Sequence, residues 1–266
     1  MKIAFIGGGN MGRAMLSAIL NKGLAAPQDI AVSDKKEECL KQLKQDFDVY
    51  ITEDNLKAVS RGDIVVLAIK PQKLNDVMAE LNGKFNSDQL VLSIIAGKNI
   101  SALQEGLGHK AIIRAMPNTP AQIGMGMTVW TATEEVTEEQ RASASSILKA
   151  MGKELYVTDE QYIDMATAIS GSGPAYIFLF MESLIDAAVG MGLPPDSARG
   201  LVLQTVAGSV EYAAKSDKGL AQLREMVTSP GGTTAEALEV LEKGKFTELV
   251  KQAIAAAYKR AKQLRS

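Results

Sequence analysis

The chain has 266 residues, 46% hydrophobic and 23% charged, ordinary globular values that suit one large domain or two modest ones. With 29 basic against 31 acidic residues the formal charge is −2, and aromatics make up 5%, which argues against nucleic acid as a partner. Cys39 is the single cysteine and His109 the single histidine, so a disulfide framework and a Cys/His metal site are both excluded, and a reducing, cytoplasmic setting is expected.

The chain opens directly into a strand pattern over residues 2–6, without the basic, apolar and cleavage regions of a leader. Gly7-Gly8-Gly9-Asn10-Met11-Gly12 follows, then an amphipathic helix over residues 10–22 with Ala14, Met15, Ala18 and Ile19 on one face and a stop at Gly23. A G-x-G-x-x-G pattern between strand and helix is a dinucleotide fingerprint with a mechanism. Gly7 permits the tight turn, Gly9 lets backbone approach a pyrophosphate, and Gly12 lets the helix pack closely. The helix N-terminus presents free N–H groups to the phosphates.

The second strand, residues 30–33, leads into Asp34, 22 residues after Gly12. An acid there accepts hydrogen bonds from the adenosine ribose and repels a 2′-phosphate, whereas Lys35 and Lys36 would pair with one. NADH and NADPH both stay open, with a lean to NADH. A helix over 37–44 precedes the unbroken apolar run 64–69, which reads as a central strand covered on both faces. Lys70 and Pro71 end it, at the carboxyl edge where ligands of such sheets lie. A helix over 74–81 and strands at 91–95, 111–115 and 128–131 complete the pattern. The expectation is an α/β fold: a parallel-sheet Rossmann domain over residues 1–158, followed by an all-helical domain over 159–266.

In the second half Gly171-Ser172-Gly173-Pro174 reads as a helix break, and Asp196 as the N-cap of a helix running to about Ala214. Its most apolar run, residues 175–181, is interrupted by Glu182 and Asp186, too short and charged to cross a membrane. The helices are rich in Ala, Gly and Met on several faces, which points to burial against a second copy of the chain, a homodimer or a higher assembly of dimers.

Five segments occur together in order: the Gly7–Gly12 loop; Ala68-Ile69-Lys70-Pro71-Gln72; Arg114-Ala115-Met116-Pro117-Asn118-Thr119-Pro120; Ser170-Gly171-Ser172-Gly173-Pro174-Ala175-Tyr176; and Val227-Thr228-Ser229-Pro230-Gly231-Gly232-Thr233-Thr234. In these the chain resembles the pyrroline-5-carboxylate reductases over nearly its whole length. The resemblance implies a Rossmann domain, an interlocking helical dimerisation domain, and reduction of a cyclic imine to L-proline by NADPH or NADH. By position it implies cofactor contacts at Gly7, Gly9, Asn10, Met11, Gly12, Ser33, Asp34, Lys35, Asn55, Ala68, Ile69, Lys70, Pro71, Ala96 and Gly97. It also implies substrate contacts at Glu160, Ser229, Gly231, Gly232, Thr233 and Thr234, with Thr167 at the reacting group.

The chemistry of the residues agrees. The substrate carboxylate needs donors, yet no lysine occurs from Glu154 through Ala214, so glycine-exposed N–H groups and the start of the helix after Thr233 are the natural substitute. A threonine hydroxyl is a poor acid but can orient an imine nitrogen by a hydrogen bond. In a helix the ordinary use of Thr167 is a bond to a carbonyl one turn earlier, and Glu160 also suits a helix start. Two rivals remain. A β-hydroxyacid dehydrogenase shares this layout but resembles its relatives in a catalytic lysine that this chain lacks. A non-catalytic NAD(P)-binding regulator would have no use for the Ser229–Thr234 turn.

Overall fold

The computed structural model describes residues 1–265 and divides into two compact units. Gly173–Ala256 is one of them, and the rest of the described chain is the other.

In the first unit β1 (Ile3–Ile6), β2 (Ile30–Ser33), β3 (Tyr50–Thr52), β4 (Ile64–Leu67), β5 (Leu90–Ser93), β6 (Ile112–Met116), β7 (Gly126–Ala132) and β8 (Gly152–Tyr156) form one sheet in the order β3-β2-β1-β4-β5-β6-β7-β8. All neighbours are parallel except β6 and β7. The cause of that reversal is length: residues 117–125 are too few for a crossover helix, so the chain turns back on itself. β3 and β8 are the two edges. An edge strand has no two-sided burial to demand an apolar run, so neither stood out in the sequence.

Side-chain alternation sorts the core into two layers. Ile3, Phe5, Ile64, Val66, Leu90, Leu92 and Ile113 pack under α1 (Asn10–Asn21), α2 (Glu37–Phe47) and α6 (Glu138–Ala150), meeting Met15, Leu16, Ile19, Leu43 and Ile147. Ala4, Ile6, Val65, Leu67, Val91 and Ile112 face the other way, under α3 (Asn55–Val59), α4 (Leu74–Leu81) and α5 (Ile100–Leu107). β4 is apolar throughout because Ile64 and Val66 serve one layer while Val65 and Leu67 serve the other. His109, the single histidine, is buried; its ring nitrogen meets the Gln89 carbonyl at 2.8 Å beside Phe85.

The first unit continues with α7 (Gln161–Ala166) and a π-helical turn, Thr167–Gly171. The Ser170–Pro174 segment therefore widens the helix rather than breaking it, and helical structure runs from Gln161 to Gly190. That stretch of 30 residues holds an 18-residue window with a mean hydropathy of 1.3, long and apolar enough to cross a membrane by length and composition, which the run at 175–181 taken alone did not suggest.

The second unit holds α8 (Gly173–Gly190), α9 (Pro195–Lys215), α10 (Leu220–Met226), α11 (Thr233–Lys243) and the start of α12 (Phe246–Arg265), whose residues from Ala257 on belong to the first unit. α9 begins with proline at its first position and Pro194 before it, so Asp196 sits in the first turn and is not the cap. α8 packs on α9 around Ala188, Ala198 and Val202, while Ile177, Phe178, Leu179, Leu201 and Val210 are half exposed or more.

Candidate active site

The strand order reverses between β1 and β4, whose carboxyl ends open a crevice. Gly7 turns the chain there at φ +104, and a Cβ on it would lie 2.6 Å from the Ala68 carbonyl oxygen and 2.9 Å from Ile69 Cγ2. The close approach of Ala68 and Ile69 thus demands glycine as much as the turn does. A Cβ at Gly12 would stand 2.5 Å from the Gly7 oxygen and 3.3 Å from Ala68 Cβ, so α1 packs on the turn and on the end of β4. Gly9 differs: around its Cβ position no heavy atom of the described residues lies within 4 Å.

Gly9 is also the N-cap of α1 and brings no side chain to it, the first turn carries no acid, and the Arg13 N–H is the first to bond within the helix, to the Gly9 oxygen. The donors of Asn10, Met11 and Gly12 therefore start a helix dipole that opens onto free space, which fits a nucleotide pyrophosphate. Gly8, to which the motif reading gave no role, is wedged against Leu43 and Cys39.

Beside this turn Asp34 holds the loop, its Oδ2 accepting the Gly8 N–H and its Oδ1 the Lys36 N–H, both at 2.9 Å. Lys35 Nζ donates instead to the Glu53 carbonyl at 2.9 Å. The buried Ser33 hydroxyl donates to Asn55 Oδ1 at 2.7 Å, and Asn55 Nδ2 to Glu80 Oε2 at 2.8 Å. The side chains of Ser33 and Asn55 thus brace the end of β2 against α3 and α4. The Cys39 Sγ donates to the Gly8 oxygen at 3.1 Å; burial, and then the Asp34 charge, push its pKa up. Lys70 is exposed, and Pro71 opens a short 3₁₀ turn.

Ala96 and Gly97 follow β5 on the same side of the sheet. The end of α12 covers Gly97, where a Cβ would lie 2.8 Å from Leu264 Cβ; nothing in the sequence signalled that neighbour.

Glu160 stands at the start of α7, but its carboxylate is engaged: Oε1 accepts from Arg114 Nη1 at 2.7 Å and from the Ile100 N–H at 2.9 Å. Arg114 is 2% exposed and reaches Asp164 Oδ1 with its other amino group at 2.9 Å. Sequence reasoning missed Arg114 and Asp164 as a unit. The signal was an arginine inside the apolar strand β6, which needs carboxylates, and two acids four apart on one helix face. Thr167 donates its hydroxyl hydrogen to the Ile163 carbonyl at 2.7 Å, the ordinary helical bond, which leaves its oxygen as an acceptor.

In the second unit Ser229 to Thr234 form a single turn. Gly232 N–H bonds the Ser229 carbonyl at 3.0 Å, Gly231 takes a left-handed φ of +68, and Gly232 starts α11 without a side-chain cap. Thr233 and Thr234 supply the first hydroxyls of the helix, with Glu236 as the acid of its first turn. Among the described residues no group of three His, Cys, Asp or Glu could hold a metal ion.

Residues 160–264 match the family profile described as pyrroline-5-carboxylate reductase dimerisation, and residues 2–97 match NADP oxidoreductase coenzyme F420-dependent. The chain is 40% identical to a pyrroline-5-carboxylate reductase of Synechocystis, over 99% of this chain and 98% of that one. A solved pyrroline-5-carboxylate reductase from Coxiella burnetii superposes with a TM-score of 0.89 at 40% identity, covering 100% of this chain and 98% of its own. The Plasmodium falciparum pyrroline carboxylate reductase, solved with NADP bound, gives 0.92 at 34% identity with the same coverage.

Proposed function

The chain belongs to the pyrroline-5-carboxylate reductase family, and we propose that it reduces 1-pyrroline-5-carboxylate to L-proline at the expense of NADH or NADPH, the last step of proline biosynthesis. The observation that carries this reading is the open first turn of α1 at the sheet's switch point, in a chain similar to reductases from end to end. A reduced nicotinamide bound there supplies a hydride to the C=N carbon.

The protein's own residues do the rest. Gly7, Gly9, Asn10, Met11 and Gly12 hold the pyrophosphate. Asp34 receives the adenosine ribose, while Ser33 and Asn55 act as its brace and Lys35 is turned aside. Fixed by two backbone donors, the Asp34 carboxylate favours NADH over a coenzyme with a 2′-phosphate. Ala68, Ile69, Lys70, Pro71, Ala96 and Gly97 wall the nicotinamide side.

The Ser229–Thr234 turn holds the substrate carboxylate with backbone donors and hydroxyls, each charge-assisted bond contributing about 1.5–3 kcal/mol. Thr167 orients the ring. With its hydrogen committed to Ile163, its oxygen accepts the N–H of the protonated imine, so reduction yields the amine without a proton from threonine. The product then takes its second ammonium proton from water. Glu160 serves this site through Arg114 and Ile100, as a holder of α7. Residues 159–266 form the dimerisation and substrate region, and a second copy covers the exposed apolar faces of α8 and α9.

The test is oxidation of NADH and NADPH by the purified protein with and without the imine, with kcat/KM compared. The proposal expects imine-dependent oxidation and L-proline as product. Turnover with neither coenzyme overturns it.

A further inference from the structure

The π turn raises a local problem. In an ordinary helix the Ser170 carbonyl would accept the N–H of residue 174, but that residue is proline and has none. The donor comes from elsewhere: Asn118 Nδ2, in the turn after β6, reaches the Ser170 oxygen at 3.1 Å. The other end of the same carboxamide is fixed too, because Asn118 Oδ1 accepts the Met127 N–H of β7 at 2.8 Å. A donor on one side and an acceptor on the other is what asparagine offers and aspartate does not.

The π turn closes on Thr167 itself, since the Ser172 N–H bonds the Thr167 carbonyl, five residues back, at 2.8 Å. Arg114 grips α7 at Glu160 and Asp164, one turn before Thr167, and two residues beyond it Met116 lies 3.0 Å from the Cβ position of Gly171. Alternate residues of β6 and the turn after it, Arg114, Met116 and Asn118, therefore meet successive turns of this helix. If the wide turn closed up, one residue's worth of rotation, about 100°, would enter between Thr167 and the helix beyond it.

We propose that Asn118 is a positioning residue for the reduction: its carboxamide replaces the hydrogen bond that Pro174 withholds, keeps the π turn open, and so fixes the Thr167 hydroxyl. This rests on Thr167 orienting the imine in the proposed reaction.

The test is a double-mutant cycle in the full-length protein with Asn118→Asp, which keeps the acceptor for Met127 and removes the donor, and Thr167→Ala. Misplacement of the hydroxyl lowers kcat by about 10- to 100-fold, with the dinucleotide Kd and the KM for the imine within about twofold. In the Thr167→Ala background the Asn118→Asp change lowers kcat no further. Full kcat in Asn118→Asp, or losses that multiply, overturns the positioning role while leaving Thr167 in place. Full kcat in Thr167→Ala refutes the Thr167 reading, and with it the role of Asn118. If Asn118→Asp does not fold, Asn118→Ala is read by the same cycle.

Discussion

Gly9 and Gly12 separate what the glycine turn does for folding from what it does for the coenzyme. Gly9 has φ −65 and ψ −174, a conformation alanine adopts freely, and its Cβ would have no heavy atom of the described residues within 4 Å. Gly9→Ala should therefore change stability by no more than about 0.5 kcal/mol, about 2 °C in melting temperature. The new methyl fills the space assigned to the pyrophosphate. Losing one charge-assisted bond there, about 1.5–3 kcal/mol, raises Kd about 10- to 150-fold. Gly12→Ala meets the Gly7 oxygen at 2.5 Å and should cost about 1–3 kcal/mol of stability as well as binding. Calorimetric titration with NADH and NADPH, alongside thermal melts at one protein concentration, reads both quantities. Gly9→Ala protein that melts normally and binds within twofold of wild type would show that the open space over Gly9 is not where the pyrophosphate lies.

The same geometry sets the outcome of other perturbations. Thr167→Ala should lower kcat by about 10- to 100-fold, the loss of one bond to a charged group, with coenzyme Kd unchanged; steady-state kinetics and an unchanged kcat would remove it from the mechanism. Gly231→Val places a branched side chain at φ +68, at a cost of about 1–3 kcal/mol, and should raise the KM for the imine about tenfold with little change in kcat; wild-type kinetics would refute the carboxylate turn. Asp34→Ser should shift the ratio of kcat/KM values toward NADPH by about tenfold, and an unmoved ratio would end the lean to NADH. Burial raises the Cys39 pKa in the folded state, so the favourable term is present below the ordinary value of 9.0 and is lost as pH climbs through the raised one. Alkylation by iodoacetamide should accordingly inflect above pH 9.0, and an inflection below it would contradict the burial argument.

The parts of the fold that repeat a strong local rule were legible. β4 reads as central because an unalternated apolar run has no other use in a sheet, and the glycine spacing after β1 announces a ligand turn. β3 and β8 were not legible, because edge strands owe their existence to one neighbour each. The π turn hid for a related reason: Gly171 and Pro174 carry the marks of a break, and the donor that meets the Ser170 carbonyl comes from Asn118, about fifty residues away in sequence. Glu160 was placed at the substrate by resemblance alone, and its residue chemistry suggested only a helix start; its partner in the structure, Arg114, lay in a strand where charge is not expected.

One measurement bears most directly on the proposed reaction. Coenzyme carrying two deuterium atoms at nicotinamide C4 is incubated with the protein and 1-pyrroline-5-carboxylate, and the product is analysed by mass and NMR. The account predicts L-proline with a single deuterium on C5, the former C=N carbon, in step with coenzyme oxidised. Proline without deuterium, or no product at all with either coenzyme, contradicts it.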